Sequence, residues 1–469
     1  MAFIFYDTET TGSDPYWDQI LQFAAIKTDD ELNPIDRFEV RCRLQPHIVP
    51  APGALVVTGV TVDQLSDLSA PSHYEMVRAV RAKLLSWSPA TFVGYNSLEF
   101  DEVLLREALY QTLHPPYLTV TNGNSRADVM QLVLAVEQFW PGVLEFRQRF
   151  DGKPSFRLDQ VAPANGFAHE HAHDAPADVE ATIFIARLIR AKARDFWDHM
   201  IRLGSKSAAI DYALAEPLQL YTEFNHNRPH HWIVSPFAVD PDRSGRVIAF
   251  DLAISPEEVS RLDDDALHKR MVSPPKPLRP IKANSCPFIQ PWTVGKGRVE
   301  ACNLGETELR RRAALVHADV DFRRRLLKAY VQTKVDHEPS AYVEMQIYDG
   351  FASSSDQKLM ETFHSADWTT RLEISQRLED RRYRLLASRL VYFERPDTFD
   401  AAVRSGIEKI IAGRLLNSGK VPWLTLSRAI DDAESLLETA NGPDIERLRD
   451  LEGFLKSRQA WAATVIDIR

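Results

Sequence analysis

Apolar residues in the first part of the chain follow strand and helix patterns in alternation. Short runs that are apolar or alternate with polar residues predict strands over residues 3–6, 20–27, 37–44 and 91–95. Apolar positions at helical spacing predict helices over residues 74–87, 100–113, 127–140 and 178–203. Strands interleaved with helices are typical of a mixed α/β domain, which we expect to span residues 1–194.

The pattern changes from about residue 195 onward. Short strands are predicted over 231–239 and 246–252, a proline-rich stretch covers 273–291, and a helix is predicted over 315–330. We therefore expect a small β-rich domain over residues 195–345. After Gly350, helical periodicity continues through residues 368–393, 398–416, 423–440 and 443–462. These segments predict a C-terminal helical domain over residues 350–469.

Composition narrows the class of protein. A chain of 469 residues is too long for one hydrophobic core, and its 44% hydrophobic and 26% charged residues are typical of globular proteins. Because no apolar stretch reaches about eighteen residues and the N-terminus lacks a signal-peptide pattern, we expect a cytoplasmic protein. The net charge of −10 argues against nucleic-acid binding through overall charge, so any such site must be a local basic surface.

The three cysteines, Cys42, Cys286 and Cys302, lie far apart in the sequence. They form no CxxC pair and have no histidine at the spacing of a zinc site. We expect reduced structural thiols.

The first candidate for chemistry is the segment from Tyr6 to Gly12, with Asp7 and Glu9 at the end of an apolar run. Residues two apart in an extended strand share a face, so both carboxylates can reach one site. Two crowded carboxylates are costly unless a positive charge lies between them, and Mg²⁺ prefers oxygen ligands. The plainer interpretation is that the pair only decorates a strand end before a glycine turn.

Two further segments favour a metal site over the plainer interpretation. Asp101 follows the strand 91–95 in the first turn of a helix, where an acid also complements the helix dipole. Asp178 begins another helix, and His173 lies five residues earlier in a loop that also holds His169 and His171. A solvated loop imidazole is the plainer interpretation of His173 by itself.

Taken jointly, Asp7, Glu9, Asp101 and Asp178 supply four carboxylates at element ends of one α/β domain. Four carboxylates can hold two metal ions roughly 3.5–4 Å apart, the separation used for in-line attack at phosphorus. His173, with an ordinary pKa near about 6.5, suits the general base that takes a proton from the attacking water. The residues therefore predict a two-metal phosphodiester hydrolase.

The motifs DTET at Asp7, NSLEFD at Asp101 and HDAPAD at Asp178 resemble the DEDD superfamily of 3′→5′ exonucleases, in its DEDDh branch. Further peptides resemble the bacterial exonuclease I family over nearly the whole chain. These are GYN with FD at 100–101, NSR at 124–126, PSFRL at 154–158, ANG at 164–166, AHD at 172–174, SCP at 285–287 and QIYDGF at 346–351.

This resemblance implies a ribonuclease H-like exonuclease domain, an SH3-like domain and a helical domain that together clamp a single strand. It implies degradation of single-stranded DNA to 5′-mononucleotides with two Mg²⁺ ions, for which Mn²⁺ could substitute, in DNA repair and recombination. We expect a monomer. The alternatives are a DEDDh exoribonuclease and, from another class, a catalytically dead single-strand-binding protein.

Candidate DNA contacts are positive or flat side chains near the carboxylates. Besides Glu9, they are Arg106, Tyr117, Arg126 and Arg157, the last matching a substrate contact of the resembled family. A surface ion pair is the alternative for each arginine. Less specific candidates in the second domain, for which solvated loops are an equal alternative, are Lys276, Arg279, Lys282, Arg228, His226, His230 and His231.

Two basic runs occupy residues 310–312 and 323–325. Such runs are usually solvated helix faces. The resembled family, however, docks the acidic tail of single-strand DNA-binding protein on a basic ridge. We expect Arg323 and Arg324 to contribute to such a partner site.

Overall fold

The computed structural model describes residues 2–168, 173–225, 228–334 and 338–467. Its first sheet comprises β1 (Phe3–Thr10), β2 (Ile20–Thr28), β3 (Pro34–Arg41), β4 (Thr91–Gly94) and β5 (Ser125–Asp128). The strand order is β3-β2-β1-β4-β5. β1 is antiparallel to β2 and parallel to β4, so the central strand has one neighbour of each kind. The predicted mixed α/β domain is confirmed.

Helices cover both faces of this sheet. The helices of this part of the chain are α1 (Pro52–Thr58), α2 (Val62–Ser66), α3 (His73–Trp87), α4 (Asp101–Gln111), α5 (Val129–Phe139), α6 (Leu158–Ala164), α7 (Ala175–Lys192), α8 (Arg194–Leu203) and α9 (Lys206–Ala215), the last of which packs on the second sheet. Apolar residues of α3 and α4 pack against Ile4 and Phe92 on one face. Those of α5, α7 and α8 pack against Phe3 and Phe5 on the other. Because β1 is covered on both faces, its position is fixed by the core.

The second sheet is antiparallel throughout, with strand order β10-β6-β7-β8-β9. Its elements are β6 (Gln219–Asn225), β7 (Arg228–Val239), β8 (Arg246–Asp251), α10 (Pro256–Ser260), α11 (Asp264–Val272), β9 (Leu278–Lys282), β10 (Phe288–Pro291), α12 (Glu306–Ala318) and α13 (Val320–Gln332). β9 and β10 lie inside the stretch predicted only as proline-rich. Both are edge strands, where proline is tolerated because an outward position needs no N–H donor.

The last part is helical, as predicted. It consists of α14 (Ser354–Ser365), α15 (Trp368–Arg377), α16 (Arg381–Glu394), α17 (Ala401–Leu415), α18 (Leu426–Leu437) and α19 (Pro443–Asp467). Helices α14 to α16 share a core with Tyr74 and Tyr110 of the first domain. Helices α17 to α19 share another with Leu21, Leu55 and Leu65. The helical part therefore packs directly on the α/β domain.

Several predicted helices are interrupted at positions that cap the next element. The predicted helix 127–140 begins inside β5, and Asp128 ends that strand by accepting a hydrogen bond from the Met130 amide at 2.9 Å. The helix 178–203 breaks at Ala193, which is not helical. Asp319 and Asp380 similarly act as N-caps inside the segments 315–330 and 368–393. Apolar periodicity does not reveal such a cap, because a short polar residue can interrupt the helix without changing the apolar spacing.

The thiols agree with the expected reduced state. Cys42 and Cys286 are buried and Cys302 is partly buried, and all three are free. Burial raises the pKa of Cys42 and of Cys286 to about 12, which keeps these thiols protonated and unreactive. Among the described residues, no helix has the length and apolar character needed to cross a membrane.

One glycine marks a close approach between the first sheet and the helix that leads to the second domain. Gly204 directly follows α8, and a Cβ added there would lie 2.1 Å from the backbone oxygen of Arg126 in β5. The Arg126 amide in turn donates a hydrogen bond to the Gly204 oxygen at 3.5 Å. Only a residue without a side chain fits this contact.

We expect Gly204→Ala to destabilise the protein by about 1–3 kcal/mol, because the methyl group must displace backbone atoms. Gly453→Ala is the matched control, since a Cβ there meets nothing within 4 Å inside α19. The control should stabilise by about 0.5–1 kcal/mol. Denaturant unfolding of both variants measures the difference, and equal stabilities would contradict the close approach.

Candidate active site

Asp7 and Glu9 lie on one face of β1, as their two-residue spacing predicts. They pair in register with Ala24 and Gln22 of β2, and a bulge follows Glu9. Asp7 is half-buried and Glu9 is buried. The two carboxylates therefore project from the central strand of the sheet into a partly enclosed site.

Asp178 joins them from the first turn of α7. Asp174, the N-cap residue directly before α7, accepts hydrogen bonds from Gln22 at 3.0 Å and from Arg41 at 2.9 Å, which tie the start of α7 to β2 and β3. One carboxylate oxygen from each of Asp7, Glu9 and Asp178 lies within 4.8 Å of the other two. The structure thus brings together acids that are far apart in the sequence.

Asp101 approaches from the loop after β4. It is 3% exposed and begins α4, and its Oδ1 accepts a hydrogen bond of 2.5 Å from the Thr8 hydroxyl. Thr8 lies between Asp7 and Glu9, so this bond ties α4 to the strand that carries the other two acids. Asp101 also raises the pKa of both Asp7 and Glu9 through its charge, which places it in the same electrostatic site.

The loop before Asp101 is held by Asp128, a residue for which no sequence motif indicated a function. Its carboxylate accepts hydrogen bonds from the amides of Asn96 at 2.9 Å and Leu98 at 3.1 Å, and it caps α5 through Met130. The available signal was an aspartate directly before the apolar helix pattern, which indicates an N-cap. The sequence does not show that this cap also reaches a second loop.

The site favours a cation on electrostatic grounds. Burial, followed by the charges of Asp101, Asp178 and Glu9, raises the pKa of Asp7 well above its usual range. Burial and the charges of Asp178 and Asp101 raise the pKa of Glu9 to about 8. Burial raises that of Asp101 to about 7. Because the donors are carboxylate oxygens that repel one another, the set fits hard divalent cations such as Mg²⁺.

His173 borders the same site. It is half-buried, and its φ of 67° lies in the left-handed region that histidine adopts more often than most residues. Together with Asp178 it lines a cleft of about 1160 Å³ that continues past Arg157. Basic residues farther along this cleft are Arg149, Lys153 and Arg228. The cleft therefore joins the candidate base to a positively charged path.

Arg157 is exposed in this cleft and forms a two-point ion pair with Asp159, at 3.0 and 2.8 Å. Burial acts to raise the pKa of Asp159, but hydrogen bonding from Arg157 and the charges of Arg157 and His173 outweigh it and lower that pKa. Arg157 can therefore turn toward a phosphate without leaving a buried group unpaired.

Arg126, which was predicted to contact DNA, has a setting different from that of an exposed DNA contact. Its guanidinium is buried, bonded to Glu102 at 2.9 Å and to the backbone oxygen of Asn284 at 2.5 Å. Arg106 also bonds Glu102, at 3.0 Å, and reaches the Tyr348 hydroxyl at 3.0 Å. Both arginines line a second cavity, and contact with DNA through either one would require leaving these partners.

That second cavity, the three-domain channel, has a volume of about 1260 Å³ and is lined by all three parts of the chain. From the first it takes Arg106 and Tyr117; from the second, Lys206 and Lys282; from the third, Tyr348 and Phe351. Phe351 is 82% exposed and meets Tyr117 edge-to-face at 5.9 Å. From the sequence, no role was predicted for Tyr348 or Phe351, and only the peptide that contains them resembled the family. The exposed aromatics are the signal that the structure adds.

The remaining candidates lie in the second domain. Arg279 is bonded to Asp251 at 3.0 Å and stacks on Trp232, while Lys276 faces no feature of the site. His226 lies outside the described residues. The arginines at 310–312 and Arg325 form ion pairs with neighbouring acids. Arg324 is highly exposed with Asp321 as its partner, and Arg323 bonds the backbone oxygen of His317.

Comparison with known proteins adds an independent line of evidence. Family models match residues 4–186 as "Exonuclease", 208–332 as "Exonuclease I SH3-like domain" and 341–458 as "Exonuclease I C-terminal domain". Exodeoxyribonuclease I of Escherichia coli K12 is 30% identical over 375 residues, covering 76% of this chain and 78% of its own. The chain belongs to the exonuclease I family.

Solved structures of exonuclease I agree over nearly the whole length. The enzyme from Methylocaldum szegediense has a TM-score of 0.81 at 25% identity, covering 98% of this chain and 99% of its own. The Escherichia coli enzyme in complex with a dA16 oligonucleotide has a TM-score of 0.80 at 24% identity, covering 99% of both chains.

The protein is therefore an exodeoxyribonuclease, with the predicted order of exonuclease, SH3-like and helical domains. The exonuclease fold implies divalent metal ions. The exact domain boundaries at 194/195 and 345/350 stay predictions.

We expect a divalent cation such as Mg²⁺ to stabilise the protein by about 2.7 kcal/mol at roughly 100 times its dissociation constant, because a ligand that binds only the folded state shifts the folding equilibrium toward it. Asp7→Asn should lose most of this gain and be more stable than the wild type in EDTA, since it removes a repelling charge. Thermal unfolding with and without Mg²⁺ measures both effects.

Asp444→Asn on α19 is the control, since that carboxylate is remote from the cluster. It should keep the full response to Mg²⁺. An Asp7→Asn protein that responds like the control would remove Asp7 from the cation site.

Proposed function

We propose that this exodeoxyribonuclease removes 5′-mononucleotides from the 3′ end of single-stranded DNA, using two Mg²⁺ ions, for which Mn²⁺ can substitute. The observation that supports the chemistry is the meeting of Asp7, Glu9 and Asp178 within 4.8 Å, in a site that also holds Asp101 and is bordered by His173. No such cluster is needed to stabilise the fold, because its members repel one another.

In this proposal Asp7, Glu9, Asp101 and Asp178 would hold the two ions. Bound there, the ions supply a lowered pKa for the attacking water and charge stabilisation at the scissile phosphate. His173 accepts the proton of that water, for which its loop position next to Asp178 suits it. Arg157 binds a phosphate of the terminal nucleotides, and Glu9 contacts the terminal nucleotide from β1.

The substrate proposal is supported by the shape and lining of the two cavities. The loop 96–99 borders both the catalytic cleft and the three-domain channel, since Asn96 lines the first and Leu98 and Glu99 line the second. The channel combines lysine and arginine with exposed aromatic rings, the combination that binds single strands without sequence preference. The related Escherichia coli enzyme has been solved with a single-stranded oligonucleotide.

The function is tested with single-stranded DNA labelled at its 5′ end or at its 3′ end, and with RNA of matched sequence. We expect the 3′ label to appear at once as a mononucleotide while the 5′-labelled strand shortens stepwise, only when Mg²⁺ is present. Faster degradation of the RNA would favour the exoribonuclease alternative. Absence of hydrolysis of either strand would indicate a binding protein with an inactive site.

His173→Ala should lower kcat by roughly two to four orders of magnitude, the usual contribution of a general base, while single-stranded DNA binding persists. His268→Ala provides a control, because that histidine lies on α11 of the second domain. Single-turnover rates and binding in Ca²⁺ measure the two quantities. A His173→Ala enzyme with a kcat near that of the wild type would exclude it as the base.

We also propose a monomeric cytoplasmic enzyme of DNA repair and recombination that docks the acidic tail of single-strand DNA-binding protein. Arg323 and Arg324 in α13 support the partner surface, since Arg324 is highly exposed. Replacing both with Glu should weaken binding of a tail peptide and leave hydrolysis of naked DNA intact. Replacing Arg310 with Glu on α12 is the comparison, and equal peptide affinities for all three proteins would reject this surface.

A further inference from the structure

A third cavity of about 540 Å³ lies between the exonuclease domain and the C-terminal domain, apart from the carboxylates. We call it the α3–α14 cavity. Helix α3 contributes Arg78 and Arg81, the end of α4 contributes Tyr110, and the C-terminal domain contributes Tyr383 and Phe351. Its volume falls within the range of about 300–1,000 Å³ that holds small organic ligands.

The cavity contains a buried polar atom that the protein leaves unpaired. His114 is 6% exposed and lines the cavity, and its Nε2 has no hydrogen-bond partner among the described residues. Its ring stacks on His364 with centroids 3.7 Å apart. Both nitrogens of His364 are engaged, with Tyr74 at 2.9 Å and the Leu113 oxygen at 3.2 Å. His114 therefore keeps an unpaired nitrogen within the cavity wall, beneath the surface that a ligand would touch.

The mouth of the cavity carries excess positive charge. Arg78 and Arg81 form no ion pair within 4 Å among the described residues, and Glu361 is the one lining acid whose charge acts on Arg81. The walls are aromatic, with Tyr110 and Tyr383 edge-to-face at 5.9 Å. Aromatic walls with two arginines beside them match a planar aromatic ring attached to an anion.

The α3–α14 cavity also adjoins the three-domain channel. Tyr117, Thr121 and Phe351 line both spaces, so a nucleotide in one lies next to the other. We propose that the α3–α14 cavity binds a single nucleotide, with its base against the aromatic side chains of the wall and its phosphate at Arg78 and Arg81. The nucleotide comes either from free 5′-mononucleotide or from the DNA strand, and this site is distinct from the one that cleaves DNA.

Binding is tested on the full chain in EDTA, where hydrolysis is absent, so the result does not depend on the proposed catalysis. Equilibrium dialysis with labelled dAMP measures how tightly the protein binds a free 5′-mononucleotide. Ala82→Trp on α3 fills the cavity from its wall, and Ala79→Trp on the same exposed helix, outside the lining, is the matched control. We expect Ala82→Trp to weaken dAMP binding about tenfold or more and the control to leave it unchanged.

A DNA strand that carries one photoreactive 5-iodouracil tests whether the bound nucleotide comes from the strand. Cross-links to the peptides that hold Tyr110 or Tyr383, lost in Ala82→Trp and kept in Ala79→Trp, support a nucleotide of the strand as the occupant. If neither dAMP binding nor cross-linking depends on Ala82→Trp, the proposal is overturned.

Arg81→Ala is a second variant that keeps the cavity open in case Ala82→Trp perturbs folding. It should weaken dAMP binding while leaving binding of deoxyadenosine unchanged, because only dAMP carries the phosphate. An equal affinity of wild type and Arg81→Ala for dAMP overturns the assignment of the phosphate to this arginine.

Discussion

Mutual repulsion among Asp7, Glu9, Asp101 and Asp178 is the constraint around which the exonuclease domain is arranged. Four carboxylates in a partly buried site oppose folding, and the raised pKa values of Asp7, Glu9 and Asp101 express that opposition. The fold holds them together through bonds from neighbouring groups, of which the Thr8–Asp101 hydrogen bond is the shortest described. The stored repulsion is what gives the site its affinity for cations.

Glu102 lies next to the site, but its charge is paired with positive and hydrogen-bonding groups and does not face other acids. It is buried, and its carboxylate accepts bonds from Tyr6, Thr119, Arg106 and Arg126. Asp101 and Glu102 are consecutive, yet one faces other acids and the other faces arginines. The fully paired residue can anchor α4, because breaking a buried ion pair is costly. Arg126 extends this anchor to Asn284 in the SH3-like domain.

The structural features that could be predicted from the sequence are those that depend on a local pattern of residues. The spacing of Asp7 and Glu9 predicted their shared face, and periodic segments such as α3 and α4 were located within a few residues. The short strands β5, β9 and β10 were missed, since four or five residues with prolines or a following helix carry little periodic signal. The roles of Asp128 and Arg126 could not be predicted, because their partners are distant in sequence and a charged residue alone does not reveal its burial.

The core that packs beneath β1 does not stop at the end of the exonuclease domain. The same cluster runs from Phe3 through Trp197 of α8 to Leu220, Ile248 and Phe250 of the second sheet. A fragment cut near residue 194 would therefore expose a broad apolar surface and lose part of its own support. Both domains therefore share one hydrophobic core, and the packing of the exonuclease part depends on the part that borders the three-domain channel.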